Sequence, residues 1–127
     1  MARILVIDDD SDIAALIGMR LDMDGHTVHI ESDGASGLAR AQTERPDVVI
    51  VDWTLPGLSG PEICAQLRAD PEMARTRLIM LTARPLGDVA AAGIAADEVL
   101  AKPFSPRHLS ERVTAALART ADAAQQG

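Results

Sequence analysis

Four short apolar runs in this chain each end on residues able to do chemistry. Ile4-Leu5-Val6-Ile7 runs into Asp8-Asp9, Val48-Val49-Ile50-Val51 into Asp52, Leu78-Ile79-Met80-Leu81 into Thr82, and Val99-Leu100-Ala101 into Lys102-Pro103. Carboxylates, a hydroxyl and an ammonium thus stand at the ends of separate segments. Two carboxylates ~4 Å apart repel by ~4 kcal/mol at an effective dielectric of about 20. A convergence of Asp8, Asp9 and Asp52 therefore needs a cation, a shared proton, or both. Lys102 supplies one positive charge as a flexible point charge. A hard divalent ion suits the remainder, because Mg²⁺ takes one or two carboxylates, keeps waters and completes its shell with phosphate oxygens. The set has the composition of a Mg²⁺–phosphoryl site.

Position separates nucleophile from ligands. Side chains alternate in direction as a strand ends, so at most one of Asp8 and Asp9 faces a metal directly, and the other reaches it through water. Asp52 stands alone, followed by Trp53-Thr54-Leu55-Pro56-Gly57, a turn that exposes backbone. A lone carboxylate beside a metal and an ammonium can attack phosphorus and form an acyl phosphate. Thr82 can donate to one phosphoryl oxygen, Lys102 can pair with another, and Mg²⁺ can take the third. Asp10 reads as a first-turn acid facing a helix dipole. Trp53 reads as packing on the turn, with gating of water or donor as its second role. His26, His29 and His108 lack acidic or cysteine partners at ligand spacing and read as structural or exposed.

The runs themselves are short, continuous and rich in β-branched residues, as parallel strands covered on both faces must be. Thr27 to Ile30 alternates polar and apolar residues, which suits an edge strand. Helical stretches lie between. Ser11 can cap a helix with Ile13, Leu16, Ile17 and Leu21 inward, ending at Gly25. Residues 35–43 carry Ala35, Leu38 and Ala39. Gly60-Pro61 opens a third helix with Ile63, Cys64 and Leu67 inward, stopped at Asp70-Pro71. Residues 87–95 make a weak fourth, rich in Ala and Gly. Ser105-Pro106 begins a fifth with Leu109, Val113, Ala116 and Leu117 on one face. Five strands alternating with five helices predict an α/β fold: a doubly wound five-stranded parallel sheet with helices on both faces and right-handed crossovers. In such sheets ligands bind beyond the carboxyl ends of the strands, where the four chemical groups lie.

Composition sets the outer limits. A chain of 127 residues, 47% of them hydrophobic, suits one domain with one core. Trp53 and Phe104 are its two aromatic residues, so aliphatic side chains build that core. Twelve basic against nineteen acidic residues give a formal charge of −7, which argues against a nucleic-acid partner. The single cysteine, Cys64, excludes an intramolecular disulfide and a cysteine zinc cage, and reads as a small core residue. No apolar run approaches the ~20 residues of a membrane span. Met1-Ala2-Arg3 leads into Ile4 without a secretory signal. A cytoplasmic protein with no membrane contact is expected. Residues 120–127 are Ala- and Gln-rich without a core face, and are expected as a short tail, a frayed helix end or disordered.

The segments ILVIDDD, VVIVDWTLPGLSG, LIMLTA and VLAKPF together resemble the receiver domain of bacterial two-component response regulators. The resemblance spans residues 3 to 119, so residues 1–119 are expected as the receiver domain. It implies a single-domain, chemotaxis-regulator-like protein with the flavodoxin-like strand order 2-1-3-4-5. It implies that Asp52 takes its phosphoryl group from a histidine kinase or histidine phosphotransferase. It further implies that Asp9, Asp52 and the backbone carbonyl of Thr54 bind Mg²⁺, with Asp8 assisting, and that Thr82 and Lys102 sense the modification. Such a protein is not an enzyme in the ordinary sense, although it catalyses its own phosphorylation and dephosphorylation. Its output would be altered binding of an unidentified downstream protein, as a monomer or weak dimer. The exposed side of the first helix (Ala15, Met19, Asp22) and the turn around Phe104 are the implied kinase-docking surface. The resemblance also implies that Thr54 and Arg84 occupy positions that tune the dephosphorylation rate.

One position departs from the family. An aromatic residue is usual three places before the lysine, and here it is Val99, which has only χ1 to change. Phosphoryl acceptance is therefore better supported than the usual ring-rotation readout, and an order–disorder shift in residues 84–97 is expected instead. Two alternatives stand beside the phosphorylation switch. One is a receiver-like interaction module with little phosphate turnover. The other is a small Mg²⁺-dependent phosphatase, which would usually carry a second acid where this chain has Thr54.

Overall fold

The computed structural model describes residues 2–126. Strands Arg3–Ile7 (β1), Thr27–Glu31 (β2), Val48–Asp52 (β3), Arg77–Thr82 (β4) and Glu98–Ala101 (β5) form one parallel sheet in the order β2-β1-β3-β4-β5. Helices Ser11–Met23 (α1), Gly34–Glu44 (α2), Gly60–Ala69 (α3), Leu86–Ala91 (α4) and Pro106–Gln126 (α5) join them, with a 3₁₀ turn at Pro71–Met73. This is the doubly wound arrangement, and the strand order, that the sequence led us to expect. From β1 the chain steps outward to β2 and then returns past it to β3. The loops after β1 and β3 consequently part in opposite directions and leave a crevice between their strands' carboxyl ends.

The two-residue period of the strands divides the core into two layers. Ile4, Val6, Ile50, Ile79 and Leu81 face α1 and α5, meeting Ala14, Ile17, Leu21, Leu109, Val113 and Ala116. Leu5, Ile7, Val49, Val51 and Met80 face the other way, meeting Leu38 and Ala41 of α2 and Ile63, Cys64 and Leu67 of α3. Continuous apolar runs are thus required because each successive residue serves a different layer.

Helix ends explain how loops reach the crevice. The cap of α1 is Asp10 rather than Ser11: its carboxylate accepts the N–H groups of Asp12 and Ile13 at 3.0 and 3.1 Å. Leu16, expected inward, is 56% exposed, because Ala14, Ile17 and Leu21 occupy the buried stripe and Leu16 lies off it. On α2 the cap is Asp33, and Gly37 lies so close to β1 that a Cβ there would meet the Ile7 side chain at 2.6 Å. Ser59 and Glu62 form a capping box on α3, with Pro61 in the first turn. The fourth helix is shorter than the 87–95 stretch predicted, with Gly93 in the left-handed region at φ 63° beyond it. The fifth follows Ser105, whose hydroxyl accepts the His108 N–H, and it runs to Gln126.

Candidate functional site

At the carboxyl end of β1, Asp8 is buried and its N–H donates to the Glu31 carbonyl across to β2 at 3.1 Å. One carboxylate oxygen, Oδ1, accepts the Asp10 N–H at 2.9 Å. The other, Oδ2, is buried without a hydrogen-bond partner among the described residues. Asp9 is exposed, and Asp52 at the end of β3 is buried. Carboxylate oxygens from Asp8, Asp9 and Asp52 lie within 4.8 Å of one another. Burial is the main cause that pushes the Asp8 carboxyl above its ordinary range. The Asp10 N–H and the Lys102 ammonium oppose that rise, while the charges of Asp52 and Asp9 add to it.

Lys102 meets the cluster from β5: its Nζ lies 3.1 Å from Asp52 Oδ1. The Lys102–Pro103 peptide is cis, and the Lys102 N–H donates to the Thr82 carbonyl at 2.7 Å, tying the ends of β4 and β5 together. Thr82 is buried, and its hydroxyl oxygen accepts the Arg84 N–H at 2.9 Å. That acceptor role leaves the hydroxyl proton to donate. Thr54, two residues beyond Asp52, is exposed on the loop that the sequence marked as a turn.

The loop after Asp52 is gripped by glycines whose role the sequence did not reveal. Gly60 lies against the Asp52 peptide: a Cβ there would fall 2.5 Å from the Asp52 carbonyl oxygen and 2.9 Å from Trp53 Cα. The Gly60 N–H also donates to the Trp53 carbonyl at 2.9 Å. At the loop's far end, a Cβ on Gly34 would sit 2.3 Å from the Leu58 carbonyl oxygen. A glycine just inside a helix that Ser59 already caps is the local signal for such close approach.

Three oxygen-bearing acids around one buried, unpartnered carboxylate oxygen fit a hard divalent cation, since one ammonium cannot balance three carboxylates. Beside Lys102 opens an apolar groove of about 490 Å³, lined by Ile13, Leu16, Ile17, Ala83, Pro103 and Phe104. Ala15, Met19 and Asp22, the α1 residues expected to dock a kinase, line a separate hollow of about 370 Å³ against Val28 and Ile30 of β2. Leu16, Met19 and Met23 of α1 and Ile30 of β2 are the large apolar residues left exposed among those described.

Comparison with known proteins places this geometry. The model of the response regulator receiver domain matches residues 4–114. The alkaline phosphatase synthesis transcriptional regulatory protein PhoP of Bacillus subtilis is 40% identical over 124 residues, covering 96% of this chain and 51% of that protein. The DNA-binding response regulator MtrA of Mycolicibacterium paratuberculosis is 37% identical over 122 residues, covering 94% of this chain and 53% of that protein. The solved chemotaxis response regulator CheY4 of Vibrio cholerae superposes with a TM-score of 0.84 at 31% identity, covering 92% of this chain and 99% of that one. The response regulator TrrA of Thermotoga maritima, solved in complex with Mg²⁺–BeF, superposes with a TM-score of 0.82 at 32% identity, covering 92% and 100%.

The relatives correct one expectation. MtrA is by name DNA-binding and PhoP a transcriptional regulator, so the exclusion of a nucleic-acid partner from net charge does not hold. The −7 charge sums these 127 residues, and the chain spans about half the length of the curated relatives it matches. A formal charge carries no weight for surface outside its own sum. Among the described residues, no helix is long and apolar enough to cross a membrane.

Proposed function

The chain belongs to the response regulator receiver domain family, and from that premise we propose that it is a phosphoacceptor switch whose modified residue is Asp52. The observation that carries this reading is the Asp52 carboxylate, held 3.1 Å from the Lys102 ammonium inside a cluster of three acids. The donor is a phosphohistidine on a histidine kinase or histidine phosphotransferase. Asp52 attacks phosphorus, the new P–O bond forms as the P–N bond breaks, and the electron pair returns to the imidazole nitrogen. The product is an acyl phosphate, and its hydrolysis by water restores the carboxylate. The domain catalyses both steps on its own carboxylate, with the phosphodonor as the substrate of the first and inorganic phosphate as the product of the second.

Asp9, Asp52 and the Thr54 backbone carbonyl would hold Mg²⁺, with Asp8 assisting; the likeness to TrrA, solved with Mg²⁺–BeF, supports the choice of metal. When bound, the ion neutralises charge on the phosphoryl oxygens. Lys102 orients the carboxylate before transfer and follows the phosphoryl group after it. Thr82 donates its hydroxyl proton to a phosphoryl oxygen, which its acceptor role toward Arg84 permits. The groove beside Lys102 receives an apolar helix face of the donor, since Ile13, Leu16 and Phe104 offer that face nothing to hydrogen-bond. By likeness to PhoP and MtrA, the output under control is transcription, and the domain works in the cytoplasm.

The test is to incubate the full chain with Mg²⁺ and a small phosphodonor such as acetyl phosphate, alongside Asp52→Asn. Stoichiometric labelling that alkali and hydroxylamine remove is expected in the parent, and none in Asp52→Asn. Labelling that survives the substitution overturns the assignment.

A further inference from the structure

The sole tryptophan is bonded directly to the acceptor, and a cation rests on it. The Arg84 guanidinium carbon lies 4.9 Å from the centre of the Trp53 ring. Trp53 is half-buried and Arg84 exposed, and the Trp53 N–H is fixed to the Leu81 carbonyl at 2.9 Å. The Arg84 N–H, in turn, donates to the hydroxyl oxygen of Thr82. Arg84 therefore touches the site twice, through its side chain on the acceptor's neighbour and through its backbone on the hydroxyl that meets the phosphoryl group. Among the described ion pairs, none includes Arg84. Its side chain is held by a π face.

Charge decides how long that arrangement lasts. Asp8, Asp9 and Asp52 carry three formal negative charges against one positive on Lys102. Phosphorylation replaces the single charge of the Asp52 carboxylate by one approaching two on the phosphoryl group. The added charge falls next to Trp53, where the guanidinium already stands. An exposed cation–π contact is weaker than a charge-assisted, two-pronged bond from guanidinium to phosphoryl oxygens. The same event draws the Thr82 hydroxyl toward the phosphoryl group and turns it from the Arg84 N–H.

We propose that Arg84 is a charge-triggered latch, resting on Trp53 while Asp52 is unmodified and moving to the phosphoryl oxygens once Asp52 carries them. The inference rests on Asp52 being the phosphoacceptor. It assigns the readout to the segment after β4 and to a released indole rather than to a ring at position 99. Trp53 and Val99 pack on the margin of the same core layer, so a loosened indole bears on the layer that Val99 also borders.

Trp53 emission reports on this site alone, because the chain has no other tryptophan. Acrylamide quenching of Trp53 is measured in the full chain with Mg²⁺, before and after beryllofluoride, while ¹⁹F resonance independently records whether beryllofluoride has bound. In the parent, quenching rises about twofold on binding, as the guanidinium leaves the ring. Arg84→Met, which keeps length without charge, gives the higher quenching in both states and shortens the acyl phosphate lifetime about threefold or more. Arg84→Lys restores part of each effect. Beryllofluoride bound with unchanged quenching in the parent overturns the latch and leaves the phosphoacceptor reading standing. An Arg84→Met protein that responds as the parent does overturns it equally. Absence of bound beryllofluoride removes the phosphoacceptor reading, and the latch with it.

Discussion

Lys102 Nζ lies 3.1 Å from Asp52 Oδ1, so the carboxylate at the end of β3 is paired with a cation from the far side of β4. The pair sits inside a cluster whose three carboxylates lie within reach of one ion. Lys102 is therefore expected to stabilise the metal-free domain. Replacing it by alanine is expected to lower the unfolding free energy in EDTA by about 1–2 kcal/mol, because a buried carboxylate loses its partner. Mg²⁺ should restore more stability to Lys102→Ala than it adds to the parent. Urea unfolding with and without the ion measures both.

Asp8 has the opposite character. Burial raises its carboxyl pKa in the folded state above the ordinary 3.8, so the ionised form opposes folding at neutral pH. Asp8→Asn should make the metal-free domain more stable at pH 7 by roughly 1 kcal/mol. As pH falls through the raised pKa toward 3.8, the parent takes up a proton that relieves its penalty, and the advantage of the variant shrinks. Denaturant titrations in EDTA across that window test the sign. The same variant should bind Mg²⁺ more weakly.

Gly60 has no room for a side chain, since a Cβ would stand 2.5 Å from the Asp52 carbonyl oxygen. Gly60→Ala is expected to cost about 2–3 kcal/mol and to displace the acceptor peptide. Reduced Mg²⁺ affinity in the fraction that remains folded separates this from simple destabilisation. Gly87→Ala, where the structure shows open space around the Cβ, is the control.

Leu16 lines the groove beside Lys102 and is 56% exposed. Leu16→Glu should slow phosphotransfer from a phosphohistidine protein by about tenfold while leaving labelling by a small phosphodonor within about twofold. Equal slowing by both donors would place the defect in the chemistry instead of the docking.

Burial pushes the Cys64 thiol up to about 12. Alkylation of the native protein at pH 8 should therefore be slower than that of the urea-unfolded chain by on the order of 100-fold. Above pH 9.0 the unfolded chain ionises its thiol while the folded one does not, so this residue lowers stability progressively from there to about pH 12. Cys64→Ala should lose that alkaline dependence while paying for a small cavity at all pH values.

The sheet and most of the site were legible because strand ends are local. Ile4 to Asp9, Val48 to Asp52 and Leu78 to Thr82 each place a chemical group at a known end of a parallel strand, and the crossover rule aligns those ends. Caps were less legible: Asp10, Ser11 and Asp12 all accept the role by residue type, and backbone geometry at Asp10 decides among them. The inward face of α1 was misjudged at Leu16 because an apolar residue off the stripe looks the same in sequence as one on it. The contact of Arg84 with Trp53 joins loops from different strands, and no spacing rule announces it. Net charge misled on nucleic acid because it is one sum over all 127 residues and locates no surface.

The sheet order has a temporal consequence. Asp8 and Lys102 are separated by nearly the whole domain in sequence, and Lys102 reaches Asp52 only from the loop after β5. During synthesis the acidic half of the site emerges first, without its cation. A chain whose β5 has not yet paired with β4 holds the three carboxylates without the ammonium that faces Asp52.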